Sequence, residues 1–126
     1  WGQSVSCDHA VLDDGITMGS VPNEPDGCGE DRTWSIGSRA PNKFGLYDMH
    51  GNAGEWVMNW YAADGLQQYA AGKLSGQGES PRKVLRGGSW DENKANLRSS
   101  YRNTKPPVSG RAVYGSIGLR CARAVE

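Results

Sequence analysis

Residues 41–56 read Pro41-Asn42-Lys43-Phe44-Gly45-Leu46-Tyr47-Asp48-Met49-His50-Gly51-Asn52-Ala53-Gly54-Glu55-Trp56. Pro41 starts a turn that leads into an apolar stretch, and Gly51-Asn52-Ala53-Gly54 turns the chain again. Beyond that turn Trp56, Met58 and Trp60 alternate with Glu55, Val57 and Asn59, the period of a half-buried strand over residues 55–61 with its aromatic face inward. Asp48, Asn52 and Glu55 bring two carboxylates and an amide beside Gly51 and Gly54. Such a turn can aim side-chain oxygens and backbone carbonyls at a hard cation such as calcium, which takes six to eight oxygens at roughly 2.3–2.6 Å. The spacing is not that of an EF-hand, and residue type alone also describes a capped turn with solvated acids.

Outward from this stretch, turn formers dominate. Residues 1–38 carry Asp13-Asp14-Gly15, Pro22-Asn23, Pro25-Asp26-Gly27 and Cys28-Gly29 and little periodicity, so they read as ordered loop. A loop of that length needs a cross-link or a ligand to hold it, which points to a Cys7 to Cys28 disulfide. Cys121 is then left as a buried thiol in an apparent strand. Residues 64–81 form a surface excursion with at most one helical turn, near residues 66–71. Short strands are expected at residues 83–86, 97–102 and 116–123.

Composition bounds the rest. The chain of 126 residues suits one domain with a modest core. Val, Leu, Ile and Phe make up only 19 residues against five Trp and five Tyr, so the buried surface is expected to come from large rings. Eighteen glycines exclude an all-helical bundle. Fourteen basic and fourteen acidic residues give no footprint for nucleic acid, although the last third is the more basic. No apolar run reaches the roughly 20 residues of a membrane span. His9 and His50 lack zinc spacing, the cysteines form no C-x-x-C, and neither a G-x-S-x-G elbow nor a phosphate loop is present.

Taken as a block, residues 41–56 closely resemble the P-N-x-[FY]-G-L-Y-D-M-x-G-N-V-W-E-W signature of the formylglycine-generating enzymes, or sulfatase-modifying factors. Val84-Leu85-Arg86-Gly87-Gly88-Ser89-Trp90 is similar to the family's R-V-x-R-G-G-S-W block. Arg98-Ser99-Ser100-Tyr101-Arg102 is similar to its R-x-x-x-R, and Gly118-Leu119-Arg120-Cys121-Ala122-Arg123 to its G-F-R-C-A-R. Trp1-Gly2, Cys7 and Gly27-Cys28-Gly29 also resemble the W-G…C…G-C-G pattern of bacterial members.

The resemblance implies an α+β, modified C-type-lectin-like fold with little regular secondary structure and a Trp- and Gly-rich interior. It implies a structural calcium held by the side chains of Asp48 and Glu55 and the carbonyls of Gly51 and Ala53. It also implies that residues 1–126 are the C-terminal half of one domain. The aromatic strand face is then expected to pack on the N-terminal half of the precursor or on another protein chain. Two departures bear on function: no cysteine stands between Gly88 and Arg102, where sulfatase-activating members carry a copper-binding pair, and Gly54 replaces a Trp. The expected function is a non-catalytic, calcium-stabilised recognition or assembly module outside the cytoplasm. The alternative is a metal-dependent oxidase or oxygenase with catalytic residues outside this chain. In recognition members of the family, residues 91–114 correspond to the binding face. They offer Asp91, Asn93, Asn96, Arg98, Tyr101, Arg102, Asn103 and Tyr114, which otherwise only solvate a loop.

Overall fold

The computed structural model describes residues 4–15, 28, 32–73, 80–107 and 115–123. Its regular elements are short: β1 (Gly54–Trp60), α1 (Gly65–Ala70), β2 (Lys83–Arg86), β3 (Asn103–Lys105) and β4 (Ile117–Gly118). They form a four-stranded sheet in the order β3-β2-β1-β4. β1 runs antiparallel to β2 and parallel to β4, while β2 and β3 are antiparallel.

β1 and β2 lie where the residue pattern places them, but the alternation along β1 does not persist. Trp56 pairs with Leu85 and Trp60 with Lys83, so four steps on β1 oppose two on β2. Such a bulge bends the strand and reaims its side chains. Met58, expected inside, is consequently 90% exposed, and Trp56 and Trp60 are half-buried. The Met58 carbonyl accepts from Lys83 Nζ at 2.7 Å, and the same ammonium lies 4.2 Å from the Trp60 ring centroid.

The buried core is aliphatic rather than aromatic, which corrects the expectation from composition. Ala10, Val11, Leu12, Val84, Leu85 and Leu97 are its buried apolar members, and the described tryptophans are all half-buried. Half of that core comes from Ala10-Val11-Leu12, an apolar tripeptide inside the segment that reads as loop. It is held from both sides: Asn52 N donates to Val11 O at 2.7 Å, and Asp13 N donates to Glu92 O at 3.1 Å. Asp13 also forms an isolated parallel bridge with Asn93. Gly51 makes this crossing possible. It sits at φ +76°, and a Cβ there would lie 2.2 Å from Val11 O.

The Cys7–Cys28 disulfide is formed, and both half-cystines pack against Ala10, Leu12 and Leu97. With a separation of 21 residues, loop closure contributes on the order of 3 kcal/mol in the chain-entropy view. Cys121, by contrast, is exposed rather than buried. The strand expected at residues 116–123 contracts to Ile117–Gly118, so Cys121 lies beyond the sheet. The strand expected at residues 97–102 is a series of turns, and the pairing strand is the next segment, Asn103–Lys105. Two turn bonds, Leu97 N to Lys94 O and Tyr101 N to Arg98 O, take donors that a sheet ladder would have used. The single helical turn is present, as α1.

Candidate functional site

The acidic turn closes around a cation of the chain itself. Asp48 adopts φ 52°, and its Oδ2 accepts from Gly37 N at 2.7 Å. Glu55 pairs with Gly118 across the β1–β4 ladder, and Arg120 follows two residues later. Arg120 Nε donates to both Glu55 oxygens at 2.9 and 3.0 Å, and its Nη2 lies 2.7 Å from Oε1. The same Nη2 donates to the carbonyls of Tyr47 and Asp48 at 3.0 and 3.2 Å. The hydrogen bond to Glu55 is the main reason that the Arg120 guanidinium is held above its ordinary pKa.

Asp48, Ala53 and Glu55 line one open groove of about 610 Å³, whose walls include Trp34, Ile36 and Leu119. Gly51 is buried beneath it, with its N–H on Gly87 O at 2.9 Å. Asn52 does not face a cation. Its Oδ1 accepts from Trp34 N at 2.8 Å and its Nδ2 donates to Trp34 O at 3.2 Å, so the amide staples two loops together. The donor types suit calcium, two carboxylates plus carbonyls, but Arg120 already occupies Glu55. Among the described residues no group of three or more His, Cys, Asp or Glu side chains converges as a metal site.

The expected recognition residues are dispersed by their own bonds. Asp91 Oδ1 accepts from Ser89 Oγ at 2.6 Å, and Asn103 Nδ2 donates to Glu92 Oε1 at 2.5 Å. Asn93 Oδ1 accepts from Ala95 N at 2.9 Å, and Arg98 Nε donates to Ala95 O at 2.8 Å, both on the exposed side. Asn96 and Tyr101 are half-buried in the same run of turns. Tyr114 lies outside the described residues, as do Trp1, Gly2, Gly27 and Gly29. Asp91 and Asn103 are bonded to Ser89 and Glu92, while Asn93 and Arg98 face solvent.

Three features escape the residue pattern. Glu92 lines a small cavity of about 60 Å³ with Ser89, Asp91, Asn103 and Lys105, and its Oε2 is buried without a hydrogen bond. Desolvation, reinforced by Asp91 and opposed by Asn103 and Lys105, pushes its carboxyl above the ordinary value. Its place two residues after Gly-Gly-Ser-Trp is the only hint of this in the sequence. Secondly, Arg86 reaches over from β2 and donates Nη1 to Tyr101 O and Nη2 to Ser99 O, fastening the 99–101 turn. Thirdly, Arg102 Nη1 donates to Ala62 O at 3.1 Å, with Cζ 5.5 and 5.8 Å from the Tyr61 and Tyr69 ring centroids. Arg86 is held below its ordinary pKa by desolvation and by Arg102, against an opposing contribution from Tyr69.

A curled sheet of two- to seven-residue strands with little other regular structure among the described residues is the modified C-type-lectin-like architecture. The family described as Sulfatase-modifying factor enzyme 1-like domain matches residues 17–125, and the chain belongs to it. It is 39% identical over 96 residues to "Serine/threonine-protein kinase pkn1" of Chlamydia pneumoniae, covering 75% of this chain and 15% of that protein. It is 31% identical over 97 residues to "Formylglycine-generating enzyme" of Streptomyces coelicolor, covering 75% of this chain and 30% of the enzyme. Among solved structures it superposes on "Treponema denticola variable protein 1" with a TM-score of 0.60 at 20% identity, covering 89% of this chain and 34% of that one. The chain thus spans about a third or less of each of these relatives.

Proposed function

We propose that this chain is a non-catalytic recognition or assembly module of the sulfatase-modifying factor family, stabilised by calcium and working outside the cytoplasm. The observation that carries the non-catalytic part is the fate of the cysteines. Cys7 and Cys28 are bonded to each other and Cys121 is the one remaining thiol, so this chain offers no cysteine pair for copper. In place of such a pair, the turns after Gly88 present Glu92 and Leu97 among residues committed to the fold. The disulfide favours an oxidising compartment.

In this reading calcium takes the carboxylates of Asp48 and Glu55 and the carbonyls of Gly51 and Ala53, and Arg120 gives up Glu55 to it. The exposed Ile36, Phe44, Met58 and Leu119 support cover by more polypeptide, either the N-terminal half of the same precursor or another chain. Leaving a large apolar side chain in water forgoes roughly 2–3 kcal/mol of burial. The second reading, a metal-dependent oxidase or oxygenase completed outside this chain, draws on the 31% identity to the formylglycine-generating enzyme.

Melting with and without chelator, together with metal analysis of the purified protein, tests both. Calcium alone, a lower melting temperature in chelator, and loss of that sensitivity in Glu55→Gln are expected, because a ligand of the folded state stabilises it by mass action. An unchanged melting curve removes calcium. Stoichiometric copper or iron replaces the recognition reading with the enzymatic one.

A further inference from the structure

We infer that the corner where Arg86 and Arg102 meet Tyr61 and Tyr69 is a docking site for an acidic polypeptide segment, an Asp- or Glu-bearing stretch of a partner protein. This rests on the recognition reading only in taking the ligand to be a protein. The argument for an anion stands on the corner alone.

Both guanidinia are fixed before any ligand arrives. Arg86 is half-buried and tied to the carbonyls of Ser99 and Tyr101. Arg102 is tied to Ala62 O, lies against two tyrosine rings, and packs so tightly on α1 that a Cβ at Gly65 would stand 2.6 Å from Nη1 and Nη2. A side chain already held in one geometry loses little conformational entropy on binding. Each guanidinium has five N–H donors, and these bonds use two of Arg86's and one of Arg102's, so donors remain for a carboxylate fork.

Among its described residues the corner lacks negative charge. Among the described residues neither arginine has a carboxylate partner. The neighbouring charge that acts on Arg86 is that of Arg102, and it is unfavourable. Among the described residues, two cations are therefore held within each other's field without a carboxylate partner, a repulsion that an incoming carboxylate relieves. Arg98, exposed at the start of the same run of turns, adds a third positive charge nearby in sequence. Tyrosine and arginine are also the residue types that dominate binding energy at protein interfaces. The chain's formal net charge of zero argues against a phosphodiester backbone, which is gripped by an extended basic surface.

The test uses the whole chain and a fluorescein-labelled oligoglutamate of about ten residues, followed by anisotropy at low and high salt. Binding that weakens with salt, with oligolysine inactive, is expected. Arg102→Lys keeps the charge but loses the planar fork and should weaken binding about tenfold, equivalent to about 1.4 kcal/mol. Arg98→Glu, at an exposed position, should weaken it while leaving the melting temperature unchanged, so the test survives if Arg102→Lys misfolds. No binding by the native chain, equal binding of oligolysine, or unchanged affinity in both variants overturns the proposal. Tight binding of inorganic phosphate without binding of oligoglutamate also overturns it, in favour of a phosphate-bearing ligand. None of these outcomes depends on the calcium test.

Discussion

Arg120 and Arg86 each reach two backbone carbonyls across a turn, but only Arg120 also meets a carboxylate. In the corner of β1 and β4, Glu55 answers Arg120 in a two-oxygen bond, and the guanidinium is more firmly protonated than in water. In the corner of α1, β2 and the 99–101 turn, Arg86 answers only carbonyls and faces another arginine, and its cation is disfavoured. The first arrangement is a closed electrostatic circuit that holds the acidic turn in shape. The second leaves Arg86 without a carboxylate among the described residues.

The two corners also rest on different supports, which gives the largest expected effect. Gly51→Ala places a Cβ 2.2 Å from a backbone oxygen, Val11 O, at a φ of +76°. Neither partner can move without unseating the core tripeptide, so a loss of at least about 3 kcal/mol is expected. Gly65→Ala also creates a clash, at 2.6 Å, but with the side-chain end of Arg102 rather than with backbone. Its stability should stay within about 1 kcal/mol of the parent, helped by helix propensity, while Arg102 is displaced from the tyrosines. Urea melts of both variants check this. Comparable losses would show that the basic corner is as rigid as the acidic one and end the contrast.

Residues 41–56 made the fold legible through their resemblance to the signature of the sulfatase-modifying factors. The positions of β1, β2 and α1 and the Cys7–Cys28 bridge were legible, although the alternation within β1 was not kept. The core did not. Ala10-Val11-Leu12 has no periodicity, and its burial comes from Asn52 and Glu92, both distant in sequence. Trp56 and Trp60 alternate correctly, yet the bulge between them is set by pairing to Lys83 and cannot be seen in β1 alone. The candidate site was half legible: Asp48, Ala53 and Glu55 do share a groove, but Arg120 reached Glu55 from 65 residues away. Arg86 and Tyr69 carried no local signal, since both are brought to Arg102 from distant stretches of the chain.

A smaller effect separates the two arginines directly. Arg120→Met removes an ion pair whose members are 38% and 23% exposed, and should cost under about 1 kcal/mol. Arg86→Met strips two charge-assisted bonds from the carbonyls of Ser99 and Tyr101, and should cost about 1–2 kcal/mol even though it relieves Arg102. Salt distinguishes them by sign. Screening weakens the attraction in one corner and the repulsion in the other, so added salt should shrink the cost of Arg120→Met and enlarge that of Arg86→Met. Denaturant titrations at two ionic strengths measure both slopes, and parallel slopes would mean that Arg86 feels no net repulsion.

Glu92 supplies the smallest effect and the inverse of the basic corner, an acid short of partners rather than a cation short of them. Asn103 binds one of its oxygens while the other is buried without a hydrogen bond, and desolvation raises its pKa in the folded state. A carboxyl with a raised folded pKa binds its proton more tightly folded than unfolded. It therefore favours folding below the unfolded value, and that advantage is lost as pH rises through the raised one. Glu92 should thus give a shallow decline in stability as pH climbs from about 4 toward neutrality. Glu92→Gln, which keeps an acceptor for Asn103 and cannot ionise, should flatten that decline and be at least as stable as the parent at pH 7. Thermal melts of the two proteins across this range decide the point: a parent that gains stability through the interval to the same extent as Glu92→Gln would show that Lys105 and Asn103 already answer the charge.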